Sequence, residues 1–308
     1  MRKTRIALLG LGGVGGYYGG KLAQYYADSP EVEIIFIARG EHLQKIKEKG
    51  IRVITDGDDF TAKPALATDS PNEVGEVDYL ILATKSYDLA SSVDYIKPCI
   101  GEHTVVLPLL NGGDIRMQLQ ELLPETSIWC GCSYIVSRRI EPGVIRSNGN
   151  FFKMVYGSDT ENNERPKKLE AYLKAADIDA RLTEDIRDAI WQKFYFISVT
   201  ASLTSYFDVG FNELLATEER RELTRAMSIE FLEVAKAEGI DTSRNTDDQV
   251  LSRVGILPSG STTSMHSDFQ SGGATEVETL TGAVIRFAEK HGVEVPNYKK
   301  VYEALKAR

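Results

Sequence analysis

The chain of 308 residues is short of cysteine, histidine and positive charge. Its three cysteines, Cys99, Cys130 and Cys132, cannot all pair into a disulfide framework, and no Cys-x-x-Cys occurs. With only four histidines a zinc site has little to build on. Buried, reduced thiols and no metal are therefore expected. Thirty-six basic residues against 45 acidic ones leave a formal charge of −9, the wrong sign for a phosphate-backbone partner, so no nucleic acid is expected. No stretch reaches the ~18 apolar residues of a membrane span. The start, Met1-Arg2-Lys3-Thr4-Arg5, has the charge of a signal-peptide end. The apolar residues 6–9 run at once into glycine, however, and no Ala-x-Ala follows, so a buried strand and a cytoplasmic location are expected. What is present is an ordinary globular mixture, 42% hydrophobic and 26% charged, which excludes global disorder. At roughly 150 residues per domain, the length suggests two domains that can bury a core without staples.

The first half alternates strand and helix signals. Residues 6–9 form a short apolar run, a helical stretch covers 13–27, and residues 32–38 are apolar and β-branched. Residues 41–49 read as a helix stopped by Gly50, and 78–84 and 104–107 as further buried strands. Strands separated by helices imply right-handed βαβ units. From about residue 186 strand signals fade. Ile186, Ile190, Phe194 and Ile197 keep helical spacing, as do Leu280, Val284, Phe287 and Ala288, and residues 213–238 read as one helix stopped at Gly239. The polar segment 158–166 reads as a loop. The expected fold is α/β: a Rossmann-type, doubly wound parallel sheet in residues 1–183, followed by an all-helical domain in residues 184–308.

Gly10-Leu11-Gly12-Gly13-Val14-Gly15 fits G-x-G-x-x-G and stands between an expected strand and an expected helix, as a dinucleotide fingerprint requires. The first glycine allows the tight turn, the second lets backbone approach a pyrophosphate, and the third lets helix and strand pack closely. The helix N-terminus adds free N–H groups and partial positive charge. At the end of the second strand, where an acidic residue would bind the ribose hydroxyl of NAD, stands Arg39, 24 residues beyond Gly15. A guanidinium matches a 2′-phosphate bidentately, so NADP(H) is the expected cofactor, with a solvated surface arginine as the alternative.

With these residues the chain resembles the ketopantoate reductase (2-dehydropantoate 2-reductase) family over nearly its whole length. The resemblance also rests on Ala83-Thr84-Lys85 and on Leu110-Asn111-Gly112-Gly113, similar to the family's Asn-Gly-x-Gly. Trp191-Gln192-Lys193-Phe194 is similar to its Trp-x-Lys-Phe. Ser264-Met265-His266-Ser267-Asp268 with Thr275-Glu276 is similar to its Ser-Met-x-x-Asp and Thr-Glu. It implies an oxidoreductase that carries hydride from NADPH to the C2 carbonyl of 2-dehydropantoate, giving pantoate for pantothenate biosynthesis. By matching position, Lys193 would be the general acid and Glu276 would hold it and the substrate. Asn111 and Ser264 would contact substrate or nicotinamide, and Lys85 would lie beside the cofactor. Hydride arriving at a ketone leaves negative charge on oxygen, so a positioned proton donor lowers the barrier. A free lysine, pKa about 10.4, is a reluctant acid near neutrality, and partial burial among Ile190, Trp191, Phe194 and Ile197 would lower that value.

From helical spacing alone Lys193 is equally an exposed lysine on an amphipathic face, Glu276 a helix-start charge, Asn111 a turn residue and Ser264 a helix cap. The chain also departs from the family. Where asparagines usually follow the lysine four and eight residues on, it has Ile197 and Ala201, and Gly272-Gly273-Ala274 stands where an arginine usually precedes Thr-Glu. Thr200, on nearly the same face as Lys193, is the candidate substitute for substrate contact. Lost polar contacts change substrate discrimination, so a related reductase of another branched 2-keto acid is the second reading. A non-catalytic NADP(H)-binding sensor is the third. 6-Phosphogluconate and hydroxyacid dehydrogenases share the two-domain outline but carry a different lysine-centred helix motif. The partner expected is a small-molecule 2-keto acid, bound in the cleft between the halves. Helical C-terminal domains in such enzymes often dimerise, so a homodimer is allowed.

Overall fold

Residues 2–158 and 164–308 are described by a computed structural model of the chain. Of the expected loop 158–166, residues 159–163 lie outside this description, and the following helix already begins at Glu164. Two compact units result. The first comprises Met1–Leu110 and Ile115–Ile186, and the second Asn111–Asp114 and Arg187–Arg308. A single cut near residue 184 thus does not describe the chain fully, because the short segment Asn111–Asp114 packs with the helical unit.

In the first unit the four apolar runs become the parallel strands β1 (Thr4–Leu9), β2 (Val32–Ile37), β6 (Tyr79–Leu82) and β7 (Val105–Pro108), and two short strands that no expected run covers, β5 (Leu66–Thr68) and β8 (Ser127–Ile128), join them at the edges. Their order is β5-β2-β1-β6-β7-β8. Counted along the chain this is 3-2-1-4-5-6, the doubly wound order of the Rossmann fold, with the switch point between β1 and β6. Both β6 and β7 are buried at every position, which is why they read as continuous apolar runs rather than alternating ones. The helices of this unit are α1 (Gly13–Tyr25), α2 (Gly40–Lys49), α3 (Pro71–Val74), α4 (Leu89–Ile96), α5 (Ile115–Leu122) and α6 (Glu164–Ala175).

A second sheet was not anticipated. It contains β3 (Ile51–Ile54), β4 (Asp59–Ala62), the long hairpin β9 (Cys130–Glu141) and β10 (Val144–Gly157), and β11 (Asp179–Leu182), in the order β11-β10-β3-β4 with β9 on β10. Helix α1 lies between the two sheets, which explains glycines beyond the fingerprint. A Cβ on Gly19 would meet Phe36 and Leu8 of the parallel sheet. One on Gly16 would fall 2.6 Å from Ile145, and one on Gly20 would fall 2.5 Å from Val53 of the second sheet. Cys99, Cys130 and Cys132 are buried thiols, none of them in a disulfide, and burial raises the Cys99 thiol to about 11.

The second unit holds α7 (Ile186–Phe207), α8 (Glu218–Ala237), α9 (Gln249–Val254), α10 (Ser264–Gln270), α11 (Ala283–His291) and α12 (Pro296–Lys306), with no strand among the described residues. The single helix expected over 213–238 is split. Residues Asn212–Leu215 form a 3-10 turn, and Thr217 then caps α8 by accepting the Arg220 N–H. The core is aromatic: Trp191, Phe194, Tyr195, Phe231 and Phe287 pack mostly edge-on or tilted, with ring centroids 5.0–5.7 Å apart.

Buried Glu230 of α8 holds the start of α12. Its carboxylate accepts the backbone N–H groups of Asn297 at 2.9 Å and Tyr298 at 3.0 Å, and the Asn297 side-chain amide at 2.6 Å. Replacing it by alanine orphans two backbone donors at a helix N-terminus, one of them buried, an expected loss of about 3 kcal/mol. Glu230→Gln keeps an acceptor oxygen and is expected to lose about half of that. Urea unfolding of the three proteins measures both, and equal stability of native and Glu230→Ala chains would refute the cap.

Candidate active site

The turn from β1 into α1 has the geometry a dinucleotide loop needs. Gly10 lies at φ +89°, and a Cβ there would be 2.7 Å from the backbone of Ala83, at the end of β6. A Cβ on Gly15 would fall 2.1 Å from the Gly10 carbonyl oxygen, so helix and strand can approach only without one. Gly12 is the opposite case: it caps α1 in extended backbone, and a Cβ there meets no described atom within 4 Å. The first turn of α1, with Val14 inside it, carries no acidic side chain, so no carboxylate of that turn offsets its positive end. Leu11, by contrast, is buried in the core. The buried Thr84 hydroxyl, beside Gly10, has no hydrogen-bond partner among the described residues. An open glycine, a bare helix N-terminus and an unused hydroxyl together fit a pyrophosphate.

Arg39 caps α2 directly after β2 and is exposed. Its guanidinium carbon lies 3.9 Å from the centroid of the Tyr95 ring, whose hydroxyl donates to the Asp69 carbonyl. Nothing in the sequence pointed to Tyr95 as the platform under Arg39, because the two meet only across βα connections. Lys85, half-buried, precedes the 3-10 turn Ser86–Asp88 that follows β6.

In the helical unit, Trp191 and Phe194 of α7 are buried in the aromatic core, while Lys193 between them is half-buried. Its Nζ donates to Asn111 Oδ1 at 2.8 Å. Asn111 is held in place by its own loop. Gly112 adopts φ +124°, and Gly113 lies so close to α7 and α11 that a Cβ would be 2.7 Å from Phe194 and 3.3 Å from Phe287. Asp114 Oδ2 accepts from Arg286 Nη2 at 2.7 Å, and its other oxygen is buried without a hydrogen-bond partner among the described residues. The Asp114–Arg286 pair escaped sequence reasoning, since 172 residues separate its members. Glu276 is 4% exposed and opens the helical turn whose N–H groups, from Thr279 and Leu280, bond to its carbonyl. The following Glu278–Gly282 is a π-helical turn, a widened geometry often found at functional sites.

Two expectations change. Thr200 shares a face with Lys193 but is fully buried, and its hydroxyl donates to the Phe196 carbonyl at 2.7 Å. A hydroxyl spent on its own helix in the interior is corrected from a substrate contact to a core residue. Ser264 is exposed at the first position of α10, but the cap of that helix is Thr263, which accepts the His266 N–H.

A comparison with known families matches the profile described as "Ketopantoate reductase PanE/ApbA" to residues 6–160, and its C-terminal counterpart to residues 185–308. The chain belongs to the ketopantoate reductase family. It is an oxidoreductase. Among relatives of this family, the 2-dehydropantoate 2-reductase of Halobacterium salinarum is 30% identical, over 95% of this chain and 94% of its own. The crystal structure of 2-dehydropantoate 2-reductase from Porphyromonas gingivalis W83 is 38% identical. It superposes with a TM-score of 0.85 over 99% of this chain and 100% of its own. D-mandelate dehydrogenase, solved with NADH and anilino(oxo)acetate, is 25% identical with a TM-score of 0.83, over 99% of this chain and 98% of its own. No helix among the described residues of this ketopantoate reductase family member is long and apolar enough to cross a membrane, and no cluster of described His, Cys, Asp or Glu could hold a metal ion.

Proposed function

We propose that the chain reduces a 2-keto acid, 2-dehydropantoate first among candidates, with NADPH as hydride donor and Lys193 as general acid. The observation that carries the reading is the 2.8 Å hydrogen bond from Lys193 Nζ to Asn111 Oδ1, which fixes an ammonium that is only half in water. Bound NADPH supplies the hydride. The remaining work falls to side chains. Lys193 holds a proton for the carbonyl oxygen, where negative charge develops, and Asn111 orients the ammonium. Glu276, Ser264 and Lys85 are assigned to lysine and substrate, substrate, and cofactor respectively, by their match to the family motifs. Gly10, Leu11, Gly12, Gly13, Val14 and Gly15 form the pyrophosphate turn, and the product would be pantoate for pantothenate biosynthesis. Oxidation of NADPH against a panel of 2-keto acids tests this: turnover of 2-dehydropantoate above the others supports it, and cofactor binding without oxidation of any of them would favour the sensor reading instead.

A second substrate is favoured by particular residues. Ile197 is half-buried and Ala201 buried where the family usually has asparagines, and the Thr200 hydroxyl is internal. An apolar lining beside Lys193 suits an apolar 2-keto acid better than the hydroxylated pantoyl chain. The same panel, extended to branched and aromatic 2-keto acids, separates the two.

Arg39 is the proposed 2′-phosphate ligand. Arg39→Glu puts a negative charge where a phosphate must lie and is expected to lower the preference for NADPH over NADH at least ~10-fold, the worth of about 1.4 kcal/mol. The ratio of kcat/KM for the two cofactors measures this, and an unchanged ratio would remove Arg39 from the site.

A further inference from the structure

The glycine loop is braced from behind by a residue that no motif singles out. His42, in the first turns of α2, is 6% exposed, and its two ring nitrogens are both used. Nε2 lies 2.7 Å from the carbonyl oxygen of Leu11, inside the loop. Nδ1 lies 2.8 Å from the backbone nitrogen of Gly143, in the turn between β9 and β10. A backbone N–H can only donate, so Nδ1 is the acceptor. The ring proton therefore sits on Nε2 and is given to Leu11. The partners thus dictate a neutral imidazole of one tautomer.

Gly143 is itself fixed. Its carbonyl accepts the Arg52 N–H of β3 at 2.8 Å, its φ is +80°, and a Cβ on it would fall 3.0 Å from Lys45 of α2. The same hairpin touches the loop at a second point, where Ser137 of β9 donates to the Gly13 carbonyl at 2.9 Å. A chain of hydrogen bonds therefore runs from the second sheet through one imidazole into the phosphate loop. The Leu11 carbonyl shares one rigid peptide plane with the Gly12 N–H, so a shift of that carbonyl turns an N–H group that a pyrophosphate at this helix start would use.

We infer that His42 is a positioning residue for cofactor binding: as a neutral Nε2–H imidazole it anchors the Leu11 carbonyl and presets the glycine loop for the pyrophosphate. This rests on the dinucleotide reading of that loop. Burial, together with the field of Arg139 on β9, holds the His42 pKa below its ordinary value despite the bond to Leu11. Further charged groups on the elements that meet here include Glu41 and Lys45 on α2, Arg52 on β3, Arg138 and Glu141 on β9 and Arg146 on β10. A second ring proton would set an Nδ1–H against the Gly143 N–H, two donors face to face. The brace is intact at neutral pH and is lost as pH falls through the lowered pKa.

The test is the dissociation constant of NADPH and NADH, read by nicotinamide fluorescence on the native chain, H42N and H42Q, with a thermal midpoint for each. Asparagine still reaches the Gly143 N–H but not Leu11, whereas the glutamine amide still reaches the Leu11 carbonyl. H42N is expected to weaken both cofactors about 10-fold at pH 7.5, and H42Q to recover most of that. NADH, which lacks the titrating 2′-phosphate, is expected to bind the native chain more weakly at pH 5 than at pH 7.5. The same shift is expected to be absent from H42Q, which carries the pH test alone should H42N fail to fold. Native-like binding by H42N, or equal pH dependence in the native chain and H42Q, would overturn the inference while leaving the cofactor reading intact. Failure of the native chain to bind either cofactor would overturn both.

Discussion

Lys193→Ala is expected to lower turnover of the 2-keto acid at least ~100-fold, the low end of general acid–base effects, while the dissociation constant for NADPH stays near the native value. The argument is local. Hydride addition to a carbonyl builds negative charge on oxygen, and the fixed ammonium donating to Asn111 is the proposed donor for it. Lys193→Arg sharpens the test. A guanidinium keeps the charge but does not give up its proton near neutrality, so substrate binding is expected to recover and turnover is not. Steady-state kinetics with separate kcat and KM decide it. Near-normal kcat in Lys193→Ala would remove the residue from the chemistry.

Two adjacent glycines are expected to fail in opposite ways when made alanine. In Gly13→Ala the new Cβ would lie 2.1 Å from the Ser137 carbonyl oxygen and 2.4 Å from its carbon. Both are backbone atoms of β9, so strand and helix must part, an overpacking strain of about 3 kcal/mol or more. In Gly12→Ala the Cβ meets no described atom within 4 Å, and the residue's extended backbone suits alanine. Stability is therefore expected to stay within about 0.5 kcal/mol of native. The methyl group stands where a pyrophosphate would approach, so NADPH affinity is expected to fall about 10- to 100-fold, an obstruction of about 1–3 kcal/mol. Urea unfolding and cofactor titration on both variants separate the effects. Were Gly12→Ala to bind NADPH as the native chain does, the pyrophosphate would have to lie elsewhere.

The pair also shows where sequence reasoning ends. Gly12 follows from the fingerprint, because the fingerprint describes a loop and its ligand. Gly13, a freely variable position in that pattern, is glycine because of β9, more than 120 residues away, and β9 belongs to a sheet that no local periodicity announced. Its strands escaped notice for a physical reason. Five of the twelve residues of β9 are exposed, and β3 and β4 are four residues each, so neither a buried apolar run nor a long alternation marks them. The four inner parallel strands, β2, β1, β6 and β7, were legible because both their faces are covered, whereas the edge strands β5 and β8, three and two residues long, were not.

The sequence by itself determined the βαβ order, the glycine turn and its context, and a lysine set among aromatics on a helix. These follow from nearest-neighbour chemistry: backbone freedom, helical period, apolar runs. Only the tertiary structure decided which polar groups are spent and which are free. It turned the Thr200 hydroxyl back onto its own helix, gave Asn111 to Lys193 and Asp114 to Arg286, and set His42 behind Leu11. A hydrogen bond needs its partner within about 3 Å, and that distance is made by packing between segments the chain keeps far apart.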